Sequence, residues 1–352
     1  MDSNSFSYES SPAKLNMAIR LSSLGIVFTF IVILVGVWTR LVDAGLGCPD
    51  WPGCYGALVV PNAERASDFA PHIPLDPFKA WVEMVHRYLA SSLGLLAIVL
   101  VVLAWKNRHL RNYPVGVSVL LLLVICLQGA FGALTVTLKL WPQVVTLHLL
   151  GGFTVLAIFF WLRCRLGVCQ RQPVTRSSLP RIWWLAITLL TLQVALGGWT
   201  SSNYAGIACT GFPTCNNEWW PSYMDFNEGF HITQEVGPNY LYGQLHAGAR
   251  TAIHYTHRIG ALAVGIALLM LWHYGHTKQP SIRGITQLML GIYALQITLG
   301  IVLVLFSLPL SVALMHTAGA AVLMLCLLRT GWRLSIAQVS YSPATYRKVS
   351  HA

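Results

Sequence analysis

The sequence predicts an all-α membrane protein: eight transmembrane helices arranged as two tandem four-helix bundles, related by a pseudo-two-fold axis along the membrane normal. Three observations predict it. Eight apolar runs are each long enough to cross a bilayer, charges are divided unequally between the segments that join them, and the histidines and cysteines of the first half recur in the second.

Of 352 residues, 55% are hydrophobic and 10% charged, against roughly 25% charged in soluble domains. The apolar runs cover about 19–41, 80–104, 115–138, 142–164, 182–200, 249–272, 284–306 and 308–330. Each is near the ~20 residues that span a bilayer as helix. Lipid offers backbone groups no partner, so runs of this length are helices.

Residues 1–17 form a polar amino-terminal tail. The run 19–41 is too long for the apolar stretch of a signal peptide and lacks a small-residue cleavage site, so it reads as an uncleaved first span. A long loop, 42–79, carries Cys48, Trp51 and Cys54. The second span bears Glu83, His86 and Arg87, and a basic turn leads to the third. A short turn reaches the fourth, which bears His148. The basic linker 169–181 separates the bundles 18–168 and 182–333. In the second bundle a long loop, 201–248, carries Cys209, Cys215, Trp219 and Trp220. The next span bears His254, His257 and Arg258, the last bears His316, and a tail follows at 334–352.

Charge sets the orientation, because Lys and Arg favour the cytoplasmic side. With the amino terminus inside, 16 of the 23 Lys and Arg fall in inner segments, and 10 of the 12 acids fall outside. Both termini are then cytoplasmic, and both cysteine loops lie on the outer side. The net charge of +11 is thus a topology signal and no sign of a nucleic-acid partner.

The repeat can be counted. At an offset of 161, Gly36, Trp38, Thr39, Ala44, Gly45, Cys48, Pro52 and Cys54 match Gly197, Trp199, Thr200, Ala205, Gly206, Cys209, Pro213 and Cys215. At 171, His86-Arg87 matches His257-Arg258; at 168, Leu127, Gln128, Gly132, His148 and Gly151 match Leu295, Gln296, Gly300, His316 and Gly319. Four spans per half is an even number, so both halves insert the same way round and relate by an axis along the normal.

His86 and His148 both lie about six residues inside the outer ends of their runs, roughly 9 Å deep at 1.5 Å per residue. His257 and His316 lie at comparable depths. Two imidazoles facing each other across a bundle core suit a bis-histidine haem site. Each could instead bond a neighbouring helix, or zinc could be the metal, although structural zinc prefers four closed ligands. Arg87 and Arg258 suit haem propionates or snorkel to the interface. Gly151, Gly152 and Gly319 admit either a large ring or a close helix.

The halves differ where Glu83 is replaced by His254. Spacing i,i+3 puts Glu83 on the His86 face, one turn outward. A carboxyl in a membrane is costly unless neutral or paired, so it is an acid, base or cation stabiliser, or a partner of Arg87. Leu127-Gln128/Gly132, Leu192-Gln193/Gly197 and Leu295-Gln296/Gly300 read as helix-contact elements. An oxidising outer compartment favours the disulfides Cys48–Cys54 and Cys209–Cys215, as staples or in a redox or substrate-handling role. Cys126, Cys164, Cys169 and Cys326 read as packing residues.

The stretch Asp43 to Cys54, Glu83-x-x-His86-Arg87, His148, His257-Arg258 and His316, set in an eight-span tandem repeat, resembles the haem A synthase family, in its cysteine-containing branch. The resemblance covers essentially the whole chain. It implies an oxidoreductase of the bacterial inner membrane that oxidises the C8 methyl of haem O to a formyl group, giving haem A for cytochrome oxidase. It implies that His86 and His148 bracket haem O or haem A, and that His257 and His316 ligate a haem b that relays electrons toward quinone or another acceptor. Glu83 then assists at the methyl carbon. The partners implied are haem O synthase, cytochrome oxidase assembly factors, membrane lipid and a possible second copy of the chain. The other reading of the four histidines is a di-haem membrane electron carrier.

Overall fold

The computed structural model describes residues 12–169 and 178–336. Most of the two expected tails and of the 169–181 linker lies outside them. Ten α-helices follow in order: α1 Pro12–Leu41, α2 Ala63–Phe69, α3 Pro77–Lys106, α4 Val115–Thr137, α5 Pro142–Gly167, α6 Arg181–Ser202, α7 Phe226–Gly229, α8 Ala247–Thr277, α9 Arg283–Leu305 and α10 Leu310–Ser335. All but α2 and α7 are long and apolar enough to cross a membrane. Among the described residues there is no strand, only the isolated bridges Cys54–Ala57 and Cys215–Glu218.

Each expected span is present, and several helices run beyond it. α1 reaches back to Pro12, into the expected tail, and α3 and α8 begin three and two residues earlier than hydropathy suggests. The first turn of α3 is set by local signals, whereas α8 starts at His246 with no side-chain cap. The Asp76 side chain accepts from Lys79 N at 3.1 Å, and Pro77 occupies the first helical position, both standard starts. Asn62 caps α2 through Arg65 N at 3.0 Å, and Asp225 caps α7 through Glu228 N at 2.9 Å. These two short helices lie in the long loops.

Within the first half α1 packs on α3 and α5, and α4 packs on α3 and α5; within the second α6 packs on α8 and α10, and α9 on α8 and α10. Between halves, α5 meets α6, α1 meets α10, and α5 meets α10. One apolar core runs through this junction, taking Ile33, Phe153 and Leu156 from the first half together with Trp183, Leu268 and Leu327 from the second. Two polar contacts at the end of the junction nearest the long loops join residues 161 apart. Arg40 donates to Ser201 O at 2.8 Å, and Tyr204 donates to Asp43 Oδ1 at 2.8 Å. The Arg40 guanidinium also lies 4.0 Å over the Tyr204 ring.

The second long loop crosses to the first half. Gln143 Nε2 donates to Ile232 O at 3.0 Å, Trp141 Nε1 to Gln234 O at 3.2 Å, and Tyr240 N to Lys139 O at 3.0 Å. The turn between α4 and α5 is therefore covered by chain from the other half.

Close approach of α1 and α5 depends on Gly25, where an added Cβ would run into the ring of Phe159, itself fully buried. Gly25→Ala is expected to cost about 1–3 kcal/mol by overpacking. Gly129→Ala, at a helical position with nothing within 4 Å of the new methyl, should be neutral or stabilising. Thermal unfolding midpoints of the two variants in detergent check the difference; equal midpoints would contradict this packing.

Candidate haem-ligand sites and their loop clamps

Four imidazoles sit on the even-numbered spans, His86 on α3, His148 on α5, His257 on α8 and His316 on α10. His148 and His316 lie six residues beyond the starts of their helices, as expected, whereas His86 and His257 lie nine and ten residues in. The difference is the extra outer turn of α3 and α8. Each ring rests on a glycine of a neighbouring span. A Cβ built at Gly36 would lie 2.8 Å from Cε1 of His86; at Gly132, 3.6 Å from that of His148; at Gly197, 3.4 Å from that of His257; and at Gly300, 3.7 Å from that of His316. With no side chain in the way, a flat ring lies directly on the neighbouring helix.

The helices that bear His86 and His148, α3 and α5, both pack on α1 and α4, and those that bear His257 and His316, α8 and α10, both pack on α6 and α9. All four histidines keep part of their surface accessible. Yet Nδ1 of His86, His148 and His316 is buried with no protein hydrogen bond, which is costly for a polar atom away from water. His257 alone has a side-chain partner, with the amide nitrogen of Gln193 lying 3.1 Å from Nδ1. Among the described residues no three His, Cys, Asp or Glu gather as a metal cluster, so a closed zinc site finds no ligand set. Four imidazoles, each partly accessible, two to a bundle, fit the axial positions of haem.

Gly151 and Gly319 serve neighbouring helices. A Cβ at either would collide with the side-chain amide of Gln128 or Gln296, respectively, and one at Gly152 would meet Ile33 at 3.4 Å. The Gln-x3-Gly elements have a second use that their helix-contact reading lacked. Their glycines seat His148, His257 and His316, and their glutamines lie along the same ligand helices.

Beyond the rings, α3 and α8 are each bolted to a disulfide loop. Cys48–Cys54 and Cys209–Cys215 are both bonded, each with a Cα–Cα distance of 4.8 Å, and all four cysteines are fully buried. Arg87 Nη1 donates to the carbonyls of Asp50 (3.0 Å), Pro52 (3.2 Å) and Gly53. Arg258 donates to Thr214 O at 3.0 Å, Cys209 O at 2.6 Å and Gly211 O at 3.1 Å. Each guanidinium thus fills the inside of its loop, a use that neither propionate binding nor snorkelling anticipates.

Glu83 and His254 answer the same loops with opposite chemistry. The buried Glu83 carboxylate accepts from Cys48 N at 3.0 Å and pairs with Arg87 Nη2. The buried His254 places Nδ1 3.0 Å from the carbonyl of Ala205. Pairing of Glu83 with Arg87 was one of the alternatives its sequence position left open. In the first loop Asp50 also caps Tyr55 N and Gly56 N at 2.6 and 3.0 Å. Burial raises the Tyr55 hydroxyl above its usual range, and the nearby carboxylates of Asp50, Asp76 and Glu83 raise it further.

The fold and these paired sites define a class: a multi-pass helical membrane protein with a duplicated imidazole site beneath a disulfide loop. The chain belongs to the family described as cytochrome oxidase assembly protein (COX15-CtaA), which it matches over residues 20–328. It is 39% identical over 320 residues to the Heme A synthase of Shewanella oneidensis, covering 89% of this chain and 96% of that one. It is 27% identical over 342 residues to the Heme A synthase of Rhizorhabdus wittichii, covering 89% and 93%. With the Heme A synthase of Symbiobacterium thermophilum it shares 28% identity over 308 residues, covering 82% and 85%.

The two clamps should differ in weight. Arg87→Ala leaves a buried carboxylate unpaired, at about 3–5 kcal/mol. Arg258→Ala leaves only carbonyls without donors, at about 1–3 kcal/mol. The double variant Glu83→Gln/Arg87→Ala should recover part of the first loss. Unfolding of the three variants in detergent measures this; equal losses for Arg87→Ala and Arg258→Ala would contradict the clamp.

Proposed function

We propose that this protein is an oxidoreductase that converts haem O to haem A for cytochrome oxidase. Its family, and relatives named Heme A synthase along nearly their full length, support the reaction. The observation that carries the assignment of sites is the pairing of His86 with His148 and of His257 with His316 in two bundles that differ at Glu83. The first bundle, 18–168, holds the substrate haem between His86 and His148. The second, 182–333, uses His257 and His316 for a resident haem b.

When bound, haem b supplies one-electron redox chemistry. His148 and His316 sit on α5 and α10, which pack against each other, so these two helices would form the wall between the two groups when both are bound. The exchange of equivalent contacts between halves, and the Arg40–Ser201 and Asp43–Tyr204 contacts at an offset of 161, support a pseudo-two-fold axis at that wall. The surplus of Lys and Arg on one side supports cytoplasmic termini and outer cysteine loops in the bacterial inner membrane.

Glu83 assists at the methyl carbon. Cys48 N–H and Arg87 fix its carboxylate one turn outward from His86. An anion held there by preorganised donors stabilises positive charge developing on the substrate, or orients a water against it. Arg87 acts through Glu83 and the loop. Haem O enters from its synthase, haem A leaves toward cytochrome oxidase assembly factors, and quinone or another acceptor takes the electrons.

Extraction and chromatography of haems from purified protein test the assignment. Wild type should carry haem b together with an O- or A-type haem. Replacing His257 or His316 by Ala should remove haem b, and replacing His86 or His148 should remove the other. Haem b in both bundles would mark a di-haem electron carrier instead. Conversion of haem O by Glu83→Ala should fall roughly 10²–10³-fold, the usual effect of removing one electrostatic stabiliser; a normal rate would end the assignment of Glu83.

A further inference from the structure

The two disulfide loops share a hairpin and carry the same kind of tip. Cys54 and Ala57 exchange backbone bonds at 2.7 and 3.1 Å, and Cys215 and Glu218 at 2.9 and 3.0 Å. The two residues between them hold positive φ in both loops, Tyr55 and Gly56 in one and Asn216 and Asn217 in the other, as a type I′ turn requires. Directly after each hairpin, at the repeat offset of 161, come Leu58-Val59 and Trp219-Trp220. All four side chains are exposed, at 77, 54, 71 and 64% respectively.

These tips are tied down along a histidine-bearing span. Tyr88 on α3 donates to Leu58 O at 2.5 Å, and Tyr255 on α8 donates to Trp219 O at 2.6 Å. The tyrosines are not repeat equivalents, since Tyr88 matches Ile259 at the offset of 171; each half reaches the same contact from its own position. Tyr88 lies 11 residues past the start of α3 and Tyr255 8 past that of α8, about 16 and 12 Å along the axis. A helical tyrosine leans back toward the start of its helix, yet both bonds still fall within the apolar runs that begin near 80 and 249.

The flank concerned is apolar and exposed. On α3, Trp81, Val85, Tyr88 and Leu95 are exposed, at spacings that share one helical face. On α8, Ile259, Leu262 and Ile266 are exposed, and Tyr255 stands one turn ahead of Ile259 on that face. The Trp220 ring meets the Tyr255 ring edge-on, with centroids 5.3 Å apart. The lipid-facing surface of each span therefore continues onto its loop tip.

We infer that both tips are lipid contacts: Leu58-Val59 and Trp219-Trp220 lie in the interfacial layer of the leaflet on the loop side, against α3 and α8. Three features favour lipid over a protein partner or a second copy of the chain. The tips prolong a surface that lipid already covers. The carbonyls of Leu58 and Trp219 are satisfied internally, as backbone beside lipid must be. Tryptophan is favoured at headgroup level, and the charged Glu218, whose carboxylate accepts from Ser222 N at 3.2 Å, keeps the second tip at that level. The bilayer then helps to hold the loops that Arg87 and Arg258 fill, whatever the two sites bind.

Photolabelling of the wild-type protein in nanodiscs tests this. The probe is a phosphatidylcholine with a diazirine high on one acyl chain, and crosslinks are mapped by peptide mass spectrometry. Label should appear at both tips, at a level comparable with that at Leu95. Hydroxyl-radical oxidation of the same nanodiscs should spare Trp219 and Trp220 relative to Tyr242, an exposed aromatic of the second long loop. Tips without lipid label would overturn the inference, and the oxidation then tells what lies over them. If Trp219 and Trp220 oxidise as readily as Tyr242, the tips face water and are open to a soluble partner. If they are neither labelled nor oxidised, a second copy covers them. Label at one tip only would overturn the inference for the other loop.

Discussion

A polar ring within an apolar helix must be given a place, and the glycine opposite each histidine provides it. Gly36, Gly132, Gly197 and Gly300 let four imidazoles lie on neighbouring helices with one edge shielded and another accessible. Without those glycines the rings would be pushed into the space between the helices that bear them. Everything proposed for the two sites follows from this constraint, because only a ring seated behind leaves room in front for a macrocycle.

Above the seats, the disulfide loops act as fixed roofs. Each loop is closed by a disulfide, filled by a guanidinium that comes from the residue after a ligand, and anchored by the residue three before it. Position of the loop and position of the imidazole are therefore coupled through one helical turn. The first roof uses a carboxylate and a backbone N–H, and the second uses an imidazole and a backbone carbonyl. That exchange keeps the architecture while changing the chemistry beside the ring. The second loop also reaches across to Lys139, Trp141 and Gln143, so the turn between α4 and α5 is covered by chain from the other half.

Much of this was legible in the sequence. Long apolar runs gave eight spans, since lipid leaves the backbone no alternative to a helix, and the charge-poor composition made the runs hard to miss. The offsets of 161, 168 and 171 picked out the four histidines and both cysteine pairs, because repeated polar residues in apolar surroundings have few packing explanations. Helix ends were less legible. The first turn of α3 is set by the Asp76 cap and Pro77, not by hydropathy, and α8 starts without a side-chain cap to mark it. The short helices α2 and α7 had signals in the N-caps Asn62 and Asp225, which loop length concealed. The partners of Arg87 and Arg258 were hidden for a different reason: backbone carbonyls carry no mark in a sequence. The glycine seats were counted among the matches, but pairing Gly36 with His86 requires knowing which faces of α1 and α3 meet.

The central claim is that two irons are each held between two imidazoles, one pair per bundle. X-ray absorption at the iron edge, combined with electron paramagnetic resonance of the oxidised, purified protein, tests it most directly. Two low-spin centres with paired imidazole nitrogens at every iron are the predicted result. A cysteine sulfur on either iron, or a single centre carrying all the signal, would contradict it.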